Sequence, residues 1–111
     1  MLIPNAERAV VDIRKLRDYC LNPMHREGKQ KARLFAAVLD MTADDAVDLQ
    51  EILLQAVKMH DAVFGRRDEY GQRYRVDFAL EWQGKRAIIR SAWMIEHGTD
   101  TPRLTSCYPI R

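Results

Sequence analysis

The sequence predicts an α+β domain, with about three N-terminal helices packed on a roughly four-stranded antiparallel C-terminal sheet. Three observations carry that prediction. Apolar residues recur at helical spacing as far as His60, and from Ala62 onward they alternate with polar ones. Turn-forming runs then divide the second half into strands of hairpin length. Helices first and a meander second is the order of a domain whose helices cover one face of a sheet.

The elements follow in chain order. Leu2 to Val11 is a lead-in with a short extended piece. Asp12 is placed to cap a helix over Ile13 to Cys20, where Ile13, Leu16 and Cys20 share a face. Asn22-Pro23 breaks it, and a second helix runs from about Glu27 to Leu39 on an apolar stripe of Leu34, Phe35, Val38 and Leu39. Gly28 lies in its first turn, where a bare backbone permits close approach by another group. Thr42 caps a third helix, with Asp44 and Asp45 at its positive end and Ala46, Leu49, Leu53, Ala56 and Val57 facing inward.

Ala62 to Arg67 reads as a first strand closing on Asp68-Glu69-Tyr70-Gly71. Tyr74, Val76, Phe78, Leu80 and Trp82 alternate with Arg73, Arg75, Asp77 and Glu81, the pattern of a half-buried strand. Gln83-Gly84-Lys85 is a hairpin turn, Arg86 to Glu96 its partner strand, and Arg103 to Ile110 the last strand after a turn at His97-Gly98-Thr99-Asp100. Phe78 and Trp82 are assigned to the core. Trp93 and Tyr74 are core residues or platforms for a nucleobase.

With 111 residues and a hydrophobic fraction of 47%, the chain suits a single domain, 1–111, and is too apolar for disorder. Its 18 basic and 16 acidic residues leave a net charge of +2, compatible with a nucleic-acid partner without demanding one. Cys20 and Cys107 lack C-x-x-C spacing, and with His25, His60 and His97 as the only other soft ligands no metal site or cofactor is expected. Both a disulfide and free thiols are open, the reduced state being the default. No apolar run approaches a membrane span and no signal pattern opens the chain. The expected location is the cytoplasm, or a recipient cell's cytoplasm if the domain is a delivered payload.

Two polar signatures stand at opposite ends. Near the start is Asn22-Pro23-x-His25-x-x-Gly28-x-x-Lys31-Ala32-Arg33-x-Phe35; at the end is Pro102-Arg103-Leu104-Thr105-Ser106-Cys107-Tyr108-Pro109. Together they supply an imidazole, phosphate-binding cations and hydroxyl donors, the groups that RNA cleavage without a metal uses. There the adjacent 2′-hydroxyl is the nucleophile, so the protein need only move protons and stabilise charge on the phosphorane. His25 sits beside a cation cluster at a helix entrance and is the acid/base candidate. Lys31, one turn inside the helix, reaches a phosphate over its entrance, and Lys29 and Arg33 either assist or solvate the outer helix face. Arg103 with Thr105 on one face of the last strand forms a phosphate clamp, or protects an edge. Tyr108 lies on the opposite face with Leu104 and Ser106. Arg73 and Asp77 point the same way with Arg75 between them, either as an ion pair orienting the site, with the arginines on RNA, or as a solvated face. His60 ends a helix and is structural, while His97 sits in a turn.

The signatures resemble those of an uncharacterised bacterial domain family that recurs in toxin-like and toxin–antitoxin-like settings. The match runs from Pro4-Asn5-Ala6 to Tyr108 and includes Tyr70-Gly71-x-Arg73-Tyr74-x-Val76-Asp77 and Ser91-Ala92-Trp93. The order of elements is also similar to the barnase–EndoU–colicin–RelE superfamily of metal-independent ribonucleases. There, a His or Lys from the helical half meets Arg, Ser/Thr or Tyr from the sheet. Thr105-Ser106-Cys107-Tyr108-Pro109 resembles the Thr-x-Tyr-Pro ending of several such toxins with one extra residue, which turns Tyr108 to the other face unless a bulge compensates. The resemblance implies a ribonuclease toxin with His25, Lys31, Arg103, Thr105 and Tyr108 in its site, RNA as substrate and an acidic antitoxin or immunity protein as partner. The alternative is a non-catalytic protein- or RNA-binding module, such as an immunity or adaptor domain.

Overall fold

A computed structural model of the chain describes residues 1–110. A 3-10 turn at Ala6–Arg8 leads to helix α1 (Ile13–Lys15), which widens into a π-turn over Leu16–Cys20. Helix α2 covers Lys29–Leu39, and a 3-10 turn at Ala43–Asp45 opens helix α3 (Ala46–Met59). Strands β1 (Ala62–Arg67), β2 (Gly71–Trp82), β3 (Lys85–Glu96) and β4 (Arg103–Pro109) then form one antiparallel sheet in the order β1-β2-β3-β4. The predicted α+β class and element order are the observed ones.

The starts and stops have local causes. The Asp12 carboxylate accepts the Arg14 amide at 2.9 Å and opens α1. Thr42 and Asp45 form a reciprocal capping box ahead of α3, with the Thr42 amide donating to Asp45 at 2.9 Å. Asp40 adopts a left-handed conformation, φ 55°, and stops α2 as the Met41 amide turns back to the Phe35 carbonyl. Helix α2 starts at Lys29, two residues later than the apolar stripe predicts. The Glu27 and Gly28 amides are drawn to the His25 ring, so the preceding segment is a chain of turns. Lys85 pairs with Trp82, so the hairpin loop is only Gln83-Gly84, both residues left-handed at φ 48° and 82°.

The inner sheet face carries Tyr74, Val76, Phe78 and Leu80 from β2, Ala87, Ile89 and Trp93 from β3, and Leu104 and Cys107 from β4. Phe35 and Leu39 of α2, Leu49, Leu53 and Val57 of α3, and Leu16 and Cys20 of the π-turn complete the core. Trp93 and Tyr74 are buried and belong to the core rather than to a base-stacking surface. Trp82 is half-buried at the rim, not inside. The buried Ser91 hydroxyl donates to the Val76 carbonyl at 2.7 Å and accepts the Trp93 indole N–H at 2.9 Å, so both polar groups are satisfied.

One irregularity re-aims the last strand. Ala92 pairs with Ser106 while the next residue, Trp93, pairs with Leu104, which leaves Thr105 as an extra residue bulged out of β4. The expectation that Arg103 and Thr105 share one face opposite Leu104, Ser106 and Tyr108 is therefore corrected. Leu104 and Cys107 face inward, whereas Arg103, Ser106 and Tyr108 lie outward beside Met94, Ala92 and Arg90. The bulge absorbs the extra residue in the Thr-to-Tyr spacing. Val10 bridges the outer edge of β4 through its amide to Pro102 and its carbonyl to Leu104.

Candidate active site

The helical half and the last strand converge on an open cleft of about 610 Å³, lined by His25, Tyr19, Glu27, Asp12, Lys15 and Thr105 among others. Its floor depends on Gly28. A Cβ there would lie 2.8 Å from Tyr19 Cδ1 and collide with the Tyr19 carbonyl, so only glycine lets the π-turn lie against the entrance of α2. The Tyr19 ring then packs edge-on against His25 with centroids 4.9 Å apart.

His25 is held by the backbone. Its Nδ1 accepts the Glu27 amide at 3.0 Å and the Gly28 amide at 2.9 Å, which places the ring hydrogen on Nε2. The imidazole thus caps the approach to α2 and meets the cleft as a donor.

Lys31 stands between two phenol rings, its Nζ 5.2 Å from the Tyr19 centroid and 5.8 Å from that of Tyr108. Partial burial works against its charge, but the nearby Tyr19, Cys20 and Tyr108 side chains outweigh it. The ammonium pKa is raised, so Lys31 is a cation at neutral pH. On the other side Tyr108 is the cross-strand neighbour of Arg90. Arg90 forks onto Asp77 at 3.1 and 3.0 Å, and that carboxylate is the main reason its pKa is raised. A line of polar side chains therefore runs from His25 through Tyr19, Lys31 and Tyr108 to Arg90 and Asp77.

Thr105 reaches the cleft because of the bulge, its hydroxyl donating to the Ala92 carbonyl at 3.2 Å. Asp12, at the rim, has its pKa lowered from 3.8 to about 2 by hydrogen bonds from the Arg14 guanidinium and amide. Asp18 is lowered likewise by Arg17. Glu27 is the cleft carboxylate that makes no salt bridge among the described residues.

His25 and Thr105 thus line one cleft, Lys31 stands beside its Tyr19 with Tyr108 on the other side, and Arg103 is not there. It sits at the far end of β4, paired with Glu96 at 2.7 Å. Arg73 pairs with Asp68 at 2.8 Å rather than with Asp77, and Arg75 lies 3.7 Å from Asp77. Lys29 and Arg33 are exposed on α2, where Arg33 borders a separate pocket. His97 ties the β1–β2 turn through Nε2 to the Asp68 carbonyl at 2.8 Å, and His60 stacks on Phe78 at 5.8 Å. Tyr19 and Glu27, which line the cleft, and Arg90, the cross-strand neighbour of Tyr108, are candidates that sequence reasoning passed over. Tyr19 leaves a trace as the one aromatic beside the Ile13-Leu16-Cys20 face, and Glu27 as the acid nearest His25; Arg90 has none, because its role depends on strand pairing. Among the described residues no cluster of His, Cys, Asp and Glu is placed to hold a metal ion, and no helix is long and apolar enough to cross a membrane.

A family model described as a domain of unknown function (DUF6883) matches residues 2–111. The chain belongs to that family. No curated protein sequence matches this DUF6883 domain. Among solved structures it is similar to a chain of a contact-dependent growth inhibition toxin–immunity protein complex from Klebsiella pneumoniae 342. The TM-score is 0.64 at 20% identity, over 96% of this chain and 97% of that one, a likeness of fold.

Proposed function

We propose that this DUF6883 domain is a ribonuclease toxin that cleaves RNA without a metal, by attack of a 2′-hydroxyl on the adjacent phosphodiester. The observation that carries the reading is the meeting of His25, Glu27 and Tyr19, from the helical half, with Thr105 of the last strand in one open cleft backed by the cation Lys31. A fold shared with a chain of a toxin–immunity protein complex supports it.

The geometry supports the following roles. Glu27 accepts the proton of the 2′-hydroxyl, because the His25 nitrogen turned to the cleft already bears one. His25 Nε2–H and the Lys31 ammonium hold the phosphorane oxygens. The leaving 5′-oxygen takes a proton from the Tyr19 hydroxyl, whose phenolate the neighbouring Lys31 ammonium stabilises until the proton held by Glu27 returns to it through solvent. Thr105 orients the phosphate, and Tyr108 holds Lys31 from its second side. The products are a 2′,3′-cyclic phosphate and a 5′-hydroxyl. Lys29, Arg33, Arg73, Arg75 and Arg103 lie outside the cleft and serve flanking phosphates. A host of such a toxin needs an acidic antitoxin or immunity protein that covers the cleft, and the site of action is the cytoplasm of the producing or a recipient cell.

Induced expression in a bacterial host tests this. Wild type arrests growth and fragments total RNA, whereas Lys31→Ala and Glu27→Gln, equally soluble, do neither. Intact RNA from soluble wild type contradicts it.

One observation favours a second reading, a non-catalytic binding module. Arg66, Arg73, Arg75, Arg90 and Arg103 each pair with a carboxylate, so the outer sheet face offers little free positive charge. The edge strand β1 exposes Val63 and Phe64, at 53% and 61% of full exposure. In a binding module, Phe64→Ala weakens partner binding and Lys31→Ala does not.

A further inference from the structure

Cys20 and Cys107 are the only cysteines of the chain, and both are fully buried. Although 87 residues apart, they meet across the seam between the helical half and the sheet, where the Cys107 amide donates to Cys20 Sγ at 3.4 Å. Each precedes or follows a site residue directly. Cys20 follows Tyr19, Cys107 precedes Tyr108, and Lys31 lies over both of those rings.

We infer that Cys20 and Cys107 are a disulfide-forming pair, and that oxidation cross-links the two halves of the cleft at the residues beside its phenols. The inference stands on the packing of the thiols and is independent of the nuclease reading.

The chemistry needs an oxidant of the small-disulfide class. One cysteine thiolate attacks the small disulfide, forming a mixed disulfide and expelling one small thiolate. The second thiolate attacks the protein sulfur of that mixed disulfide, closing the cross-link and expelling the other. Two protein thiols are oxidised, one small disulfide is reduced to two thiols, and the two protons pass to the expelled thiolates. The contact with Cys107, including its backbone amide, lowers the Cys20 pKa, whereas the contact with Cys20 and burial raise that of Cys107, so Cys20 is the readier first nucleophile. Complete burial shuts the folded pair away from oxidants. The cross-link therefore forms while the chain folds in an oxidising compartment, and a chain folded in a reducing one keeps both thiols.

The test is to refold the whole chain from denaturant in glutathione disulfide or in reduced glutathione. Free thiols are then titrated, intact mass measured and melting followed without reductant, with Cys20→Ser and Cys107→Ala as controls. The inference predicts a monomer without free thiols, lighter by two hydrogens, that melts about 10 °C or more above the reduced form, since a long loop is closed. Reductant abolishes the difference, and neither variant shows it. Persistent thiols, stable glutathione adducts, cross-linked dimers, or an oxidised monomer that melts no higher would each overturn it.

Discussion

His25 carries two roles that a single substitution can separate. Its Nδ1 caps two backbone amides, and its Nε2–H faces the cleft. An asparagine carbonyl replaces the cap but presents no group at the Nε2 position. His25→Asn is therefore expected to melt close to wild type while losing RNA cleavage by about 100-fold, the size of one preorganised transition-state donor. His25→Ala is expected to lose stability as well. If His25→Asn cleaves RNA normally, the ring is only a cap. Gly28 makes a prediction of the opposite kind. Its φ of −88° suits any residue, yet an added Cβ meets Tyr19. Gly28→Ala is expected to lower unfolding stability by about 1–3 kcal/mol in urea titration through overpacking. The close approach at Gly28 was legible in the sequence. What approaches it was not, since Tyr19 reaches Gly28 only because α1 opens into a π-turn.

At the scale of elements, the sequence was most legible where local chemistry decides. Asp12, Thr42 and the alternation from Tyr74 to Leu80 each encode the start or pattern of their element, although the Asp12-capped helix turns π after Lys15 and Thr42 caps a 3-10 turn that leads into α3. It was least legible at β4, where a single bulge at Thr105 decides which residues face the cleft. A period of two predicts the wrong partners for Thr105 and Tyr108, because the bulge is set by pairing with β3 and not by any residue type within β4. The Gln83-Gly84 loop gives a test at this scale. Gln83 occupies a left-handed position, φ 48°, that asparagine adopts more readily. Gln83→Asn is expected to raise stability by about 0.5 kcal/mol in urea titration, and a loss of stability would contradict the two-residue turn.

For the whole molecule, many of the surface arginines are paired with carboxylates. Asp12, Asp18, Asp68 and Asp100 all have pKa values lowered by arginine partners, Asp12 from 3.8 to about 2. Carboxylates with depressed folded pKa values bind fewer protons than the unfolded chain does. Their contribution is fully present above about pH 4 and is lost as pH falls towards about 2. The urea midpoint is expected to hold from pH 7 to about 4 and then drop, less steeply at high salt, because the pairs are exposed and screened. A midpoint indifferent to acid would contradict the pairing. The overall charge of +2 concealed this arrangement, since composition counts charges and does not show which are neutralised in place. Lys31 makes no salt bridge among the described residues and sits between aromatic rings rather than on the arginine-bearing sheet face.

The most direct test of a metal-independent RNA-cleaving cleft is incubation of the purified chain with end-labelled RNA in excess chelator. Products are resolved beside those of Lys31→Ala, with their 3′ ends identified. The account predicts cleavage undiminished by the chelator, fragments ending in 2′,3′-cyclic phosphate, and loss of both with Lys31→Ala. Full-length RNA after prolonged incubation with folded wild type, or cleavage equal in Lys31→Ala, would contradict it.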